Sequence, residues 1–243
     1  MDRINYLILI SIVMISLVGL FAPNQLNNQN IGKNTFSSSL KPFEINVLGS
    51  NSNGTVIKSG PYGNLNSTCK IAFIIGVHPL EQNSHKAIFE SILNLSKYLN
   101  STYYIYSVDV TKDRLYYDNG RMNGQILANE YAVPDIEKNN FNLAVDVHSN
   151  KGGNYQKTKF LFVPWGNYKA MAIASSLISN MPWLEYYVPP KETGPVSSNY
   201  VTIPLIKSGT PAIIYETYRY EPYYVTANHA DEFVLTVDKL KLN

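Results

Sequence analysis

Apolar positions fall into three regimes along this chain. Residues Tyr6 to Ala22 form an unbroken apolar run with Asp2 and Arg3 before it. From Pro23 to about Gly60 the sequence is rich in Asn, Ser and Gly and carries little periodicity, which reads as a solvated spacer. Beyond it, short apolar runs alternate with segments of helical spacing. Lys70 to Ile75 reads as a buried strand. His85 to Leu99 reads as a helix, with Ala87, Ile88, Ile92, Leu95 and Leu99 on one side. Tyr103–Val110, Phe141–Val147, Phe160–Val163 and Ala212–Tyr215 read as further strands, with a short one expected over Leu184–Val188. Helices are expected over Gly124–Tyr131 (ended by Pro134), Tyr168–Ile178, Val201–Ile206 and Tyr223–Leu240. Strands alternating with helices predict an α/β domain with a mixed, largely parallel central sheet flanked by helices on both faces.

The N-terminal run, about 17 residues long, lies between a signal-peptide core and a full membrane span. No clean small-residue cleavage site follows it, which favours an uncleaved anchor over a cleaved signal. The expected organisation is a membrane anchor or signal segment over 1–22, a polar spacer over 23–60 and the α/β domain over 61–243. The domain is placed outside the cell membrane, or secreted if the segment is cleaved. Sequons at Asn53, Asn66, Asn94 and Asn100 fit an exported chain.

Composition narrows the functional classes. Lys and Arg are scattered, and the net charge of +2 offers no nucleic-acid surface. The single cysteine, Cys69, excludes an intramolecular disulfide and any multi-cysteine metal site. The 19 tyrosines suit wet, polar clefts.

Two of the four histidines occur in chemically suggestive places. His78 and Glu81 follow the strand that ends at Gly76, and their spacing turns both side chains to one side. They form a compact half-site for zinc. His148 ends another strand, and Asp146, two residues earlier, shares its face of the sheet and can orient it. Glu216 ends the last strand, where an unpartnered carboxylate would be costly to desolvate. In parallel sheets ligands bind at the carboxyl ends of the strands, and all three motifs lie there. Two imidazoles, a ligand carboxylate and a spare carboxylate are the inventory of a catalytic zinc site. His85 and His229 have no such context; His85 reads as a surface or supporting group.

At these residues the chain resembles the zinc carboxypeptidases of the carboxypeptidase A type and their relatives, the succinylglutamate desuccinylases and aspartoacylases. The resemblance covers roughly residues 70–243. It rests on a His-x-x-Glu pair, a later His followed by a small residue, and a Glu at a late strand end. The 68 residues from His148 to Glu216 suit that family, and the 67 from Glu81 to His148 suit its compact members. The resemblance implies zinc held by His78, Glu81 and His148, with Glu216 as general base and then general acid. It implies an oxyanion arginine, best matched by Arg121, with Arg114 second. Arg114 and Tyr200 are its candidates for substrate binding. The family's Asn-Arg pair for gripping a free C-terminus has no clear match, so exopeptidase specificity does not follow. The function implied is hydrolysis of a peptide or amide bond outside the cell, on a peptide or amidated small molecule of the kind a cell wall supplies. The alternatives are a surface binding protein that kept the fold without the chemistry, and an N-acyl amino acid deacylase.

Overall fold

The structure is a computed structural model, and it describes residues 44–153, 157–164, 167–189 and 196–242. The expected anchor over 1–22, residues 23–43 of the expected spacer and residues 190–195 lie outside the described residues. Among the described residues, no helix is long and apolar enough to cross a membrane.

Eight strands form one sheet: β1 (Glu44–Asn51), β2 (Gly54–Gly63), β3 (Lys70–Ile75), β4 (Thr102–Val110), β5 (Leu143–Asn150), β6 (Phe160–Phe162), β7 (Glu185–Tyr186) and β8 (Ala212–Tyr218). Their order is β1-β2-β4-β3-β5-β8-β6-β7. The central four, β4-β3-β5-β8, run parallel. β1 and β2 flank them antiparallel on one side, and β6 is antiparallel to β8 on the other. The fold is thus the mixed, largely parallel α/β sheet that the periodicity predicts. The sheet nevertheless begins earlier than composition suggests. Residues 44–60, read as spacer, are β1 and most of β2, and Val56 is fully buried. An antiparallel hairpin at a sheet edge faces water on one side, so polar residues are no bar to strand formation.

Period-two alternation divides the strands between two cores. Ile71, Phe73 and Ile75 of β3, and Leu143, Val145 and Val147 of β5, pack with helices α1 (Gln82–Leu95), α4 (Tyr168–Asn180) and α6 (Tyr223–Asp238). Ala72 and Ile74 of β3 and Ala144 of β5 face the other side. There they meet α2 (Tyr117–Leu127), α3 (Val133–Lys138) and α5 (Thr202–Lys207). Fully buried Ile92 on α1 illustrates the energetics: its truncation to Ala costs about 2–5 kcal/mol.

The structure departs from the pattern at Pro134. The helix starts at Tyr117 and runs on to Lys138, with a π-helical turn over Ala128–Ala132 just before the proline. A proline inside an α-helix clashes with the preceding turn and leaves a carbonyl without a donor. The wider turn absorbs both defects, so the proline is accommodated within the helix.

Candidate metal centre

Asp146 and His148 share the sheet face of Ala144, and Glu216 that of Ala212. His148 and Glu216 are direct partners in the β5–β8 register. Both therefore project towards the α2 side at the carboxyl ends of their strands. His78 arrives from the neighbouring strand through Gly76, whose φ of +86° and close approach to the Val108 carbonyl leave no room for a Cβ. Glu81 stands at the N-cap of α1. Its carboxylate caps no helix amide; it turns into the site instead. Helix α2 lies directly on this turn at Gly124, where a Cβ would sit 2.0 Å from the Val77 carbonyl oxygen. That contact delivers Arg121 and Gln125 to the same place.

The residues converge. The candidate ligand atoms of His78, Glu81 and His148 all lie within 4.8 Å of one another. Glu81 Oε1 is 3.0 Å from His78 Nδ1, and Glu81 Oε2 is 3.1 Å from His148 Nδ1. The two rings are 4.2 Å apart between centroids. The Ser149 backbone N–H donates to Glu81 Oε2 at 2.9 Å, and Arg121 donates to Oε1 at 2.6 Å. All three ligand candidates are at most 4% exposed. Behind His148, Asp146 Oδ1 is 3.0 Å from Nε2, close enough for charge attraction but not aligned as a hydrogen bond.

Burial of charge on this scale must be compensated. Burial holds His78 down to about 3, against the opposing pull of Glu81, so this ring is neutral. Burial also disfavours the His148 cation, but Asp146 and then Glu81 overcome it and hold that ring well above its ordinary value. Burial alone would raise Glu81; His78 and His148 keep it ionised, well below the usual carboxylate range. Within the protein itself, the proton on His148 and the guanidinium of Arg121 balance the carboxylates of Glu81 and Asp146. A divalent cation on the two Nδ1 atoms and the carboxylate would take over that role, and the donor set of two imidazoles and one carboxylate fits a metal ion. Gln125 supports the same conclusion. Its amide is 3.1 Å from His78 Nε2, and its Oε1 is buried without a partner. Turning the amide by half a revolution lets Oε1 accept from Nε2–H, which leaves Nδ1 free as a ligand.

Glu216 is 6% exposed. Burial raises it to about 8; the His148 charge pulls it down and Glu81 pushes it back up. Asn150 Nδ2 donates to Glu216 Oε2 at 3.2 Å and also faces the carbonyls of Thr158 and Thr217. A carboxyl poised near neutrality beside a cation site has the properties of a general base.

Other sequence candidates lie elsewhere. Arg114 lines a cavity of about 190 Å³ with Gln82, His85 and Asp109, next to the His78 turn but apart from the cluster. Tyr200 packs against the apolar α2–α3 core, and its backbone carbonyl accepts from Asn129; no contact ties its ring to the cluster. His85, expected at the surface or beside the ligands, is buried beside them: Glu81 and His148 both act on its charge, and its Nε2 lies 3.1 Å from the Val147 carbonyl. His229 stacks on Trp183, remote from the metal cluster. Gln125 and Asn150 escape sequence reasoning. The one signal for them is position: Gln125 is one helical turn after Arg121, and Asn150 is two residues after His148 on the same strand face.

No family model matches this sequence, and no curated protein matches it. Solved structures do. A provisionally assigned carboxypeptidase from Burkholderia mallei superposes with a TM-score of 0.55 at 11% identity, covering 80% of this chain and 62% of that one. A metallo-carboxypeptidase from Burkholderia cenocepacia gives 0.53 at 11% identity, over 82% of this chain and 65% of that one. The product-bound cell shape determinant protein Csd4 from Helicobacter pylori gives 0.50 at 13% identity, over 75% and 53%. This chain thus spans between about half and two thirds of the length of these three structures. The fold is that of the zinc carboxypeptidases.

Proposed function

We propose that this protein is a zinc-dependent hydrolase of a peptide or amide bond, acting outside the cytoplasm on a peptide or amidated small molecule such as a cell wall provides. The observation that carries the reading is the convergence of His78, Glu81 and His148 in a buried cluster, with Glu216 facing His148 across the strand ladder. In this reading those three residues hold the metal and Asp146 orients His148. Bound there, zinc would polarise the scissile carbonyl and lower the pKa of water towards about 7.

The chain's own residues do the rest. Glu216 accepts the proton of the attacking water and returns it to the departing amine. Asn150 holds one Glu216 oxygen, so the other is free for that exchange. Arg121, released from Glu81 when a cation takes its place, faces the developing oxyanion with a donor that is 23% exposed and reachable from the cleft. The placement outside the cytoplasm rests on the apolar run of residues 6–22 and the sequons.

Metal analysis together with turnover tests the reading. The purified protein should carry about one zinc per chain, and His148→Ala should lose it. Glu216→Gln should keep zinc and lose nearly all hydrolysis of any substrate the wild type cleaves. Full turnover by the Gln variant, or no metal uptake by the wild type, rules the mechanism out.

A further inference from the structure

A second cationic group stands beside the cluster and takes no part in it. Lys151 follows the last residue of β5, three positions after His148, and its side chain is exposed. Its ammonium lies 4.8 Å from the centre of the Tyr117 ring, and the Arg121 guanidinium carbon lies 5.0 Å from the same ring. Arg121 is committed to Glu81. Lys151 forms no ion pair with any carboxylate among the described residues. The ring of Tyr117 therefore carries two cations, one turned into the cluster and one left facing solvent. Leu115 and Tyr116, the two residues before Tyr117, are exposed by 77% and 68%.

We propose that Lys151, seated on Tyr117, is a specificity-determining residue that selects an acidic side chain on the substrate. This inference rests on the hydrolase reading above and adds the chemical class of the substrate. Three features support it. A lysine over an aromatic face is held in place by cation–π attraction and keeps its outward N–H donors free. Its charge is a flexible point, which suits a mobile side-chain carboxylate; a fixed terminal carboxylate calls for a planar bidentate arginine. Its exposed place on the rim, outside the buried cluster, puts the recognised group some distance from the bond broken. The neighbouring apolar side chains would cover the stem of an acidic residue while Lys151 meets its head.

The test uses the full-length zinc-loaded Glu216→Gln protein, which binds without turnover. The probes are acetylated, C-terminally amidated tetra-alanine peptides with Glu or Gln at each position in turn, plus the Gln set with a free C-terminal carboxylate. Calorimetric titration at low salt should show one position where Glu binds about fivefold tighter than Gln, a preference that fades with added salt. Lys151→Met should erase that preference and Lys151→Glu should reverse it, with zinc content and thermal midpoint unchanged, because Lys151 is a surface residue. A Glu preference that survives in Lys151→Met overturns the proposal. So does the absence of any Glu preference, or a preference set only by the free C-terminus. The two readings fail separately: a protein without zinc that still selects acidic peptides through Lys151 loses the hydrolase reading and keeps this one. A zinc-loaded hydrolase indifferent to Lys151 does the reverse.

Discussion

Replacing Glu216 with Gln should stabilise the metal-free protein at neutral pH while abolishing its chemistry. Burial pushes this carboxyl up to about 8, against an ordinary value of 4.5. Between those values the folded chain holds a proton that the unfolded chain has released. Stability therefore falls as pH rises across that window. A gap of roughly 3.5 units, at about 1.4 kcal/mol each, puts a ceiling of roughly 5 kcal/mol on the loss. Water entry and local relaxation around the buried charge halve what is realised, to about 2–3 kcal/mol. Gln stays neutral throughout and still offers Asn150 an acceptor. Urea unfolding of chelator-treated wild type and Glu216→Gln at pH 5, 6.5 and 8.5 should give nearly equal stability at the lowest pH. The variant should lead by about 2–3 kcal/mol at the highest. Saturating zinc favours the ionised carboxylate and should narrow the gap. Parallel stability curves, or a variant weaker than wild type at pH 8.5, would refute the argument that Glu216 is held protonated by burial.

Arg121→Ala should lower the chemical step by about 10²–10³ if the guanidinium stabilises the oxyanion. It should also tighten zinc binding severalfold by freeing Glu81 of its competing cation; calorimetric zinc titration reads the second effect independently of turnover, and an unchanged affinity would place Arg121 away from Glu81 in solution. A chain beginning at Pro42 should fold cooperatively and remain soluble, whereas one beginning at Gly60 should not, because it lacks β1 and most of β2. Cell fractionation of the full chain and the shorter one should show membrane association only for the former, and equal partitioning would remove the anchor.

Legibility in the sequence followed the strength of the local signal. The parallel strands β3, β5 and β8 are short apolar runs with no rival reading, and the residues placed at their ends, His78, His148 and Glu216, are the ones that meet. The hairpin β1–β2 was hidden because an edge strand with one wet face looks like polar linker. The end of the α2–α3 helix was misplaced because a proline signals termination unless a π-helical turn makes room for it. Gln125 and Asn150 had no pattern of their own; what they do depends on α2 crossing the His78 turn at Gly124 and on the side that β5 presents, and neither is a local property. Tyr200 is the opposite case: one tyrosine among 19 carries almost no positional information.

The direct pairing of His148 with Glu216 in the β5–β8 ladder has a consequence for how this protein can change. Their separation is fixed by hydrogen-bond register between adjacent strands, so the intervening chain from Lys151 to Pro211 is not what keeps them together. Within that chain β6, α4 and α5 carry core residues and are not free to change, whereas the described residues between β5 and β6 belong to neither core. That short connection can lengthen, because the entropic penalty of a longer loop grows only logarithmically, while Glu216 and His148 stay in register. In the hydrolase reading proposed above, a library randomised there is the natural starting point for changing what the site accepts.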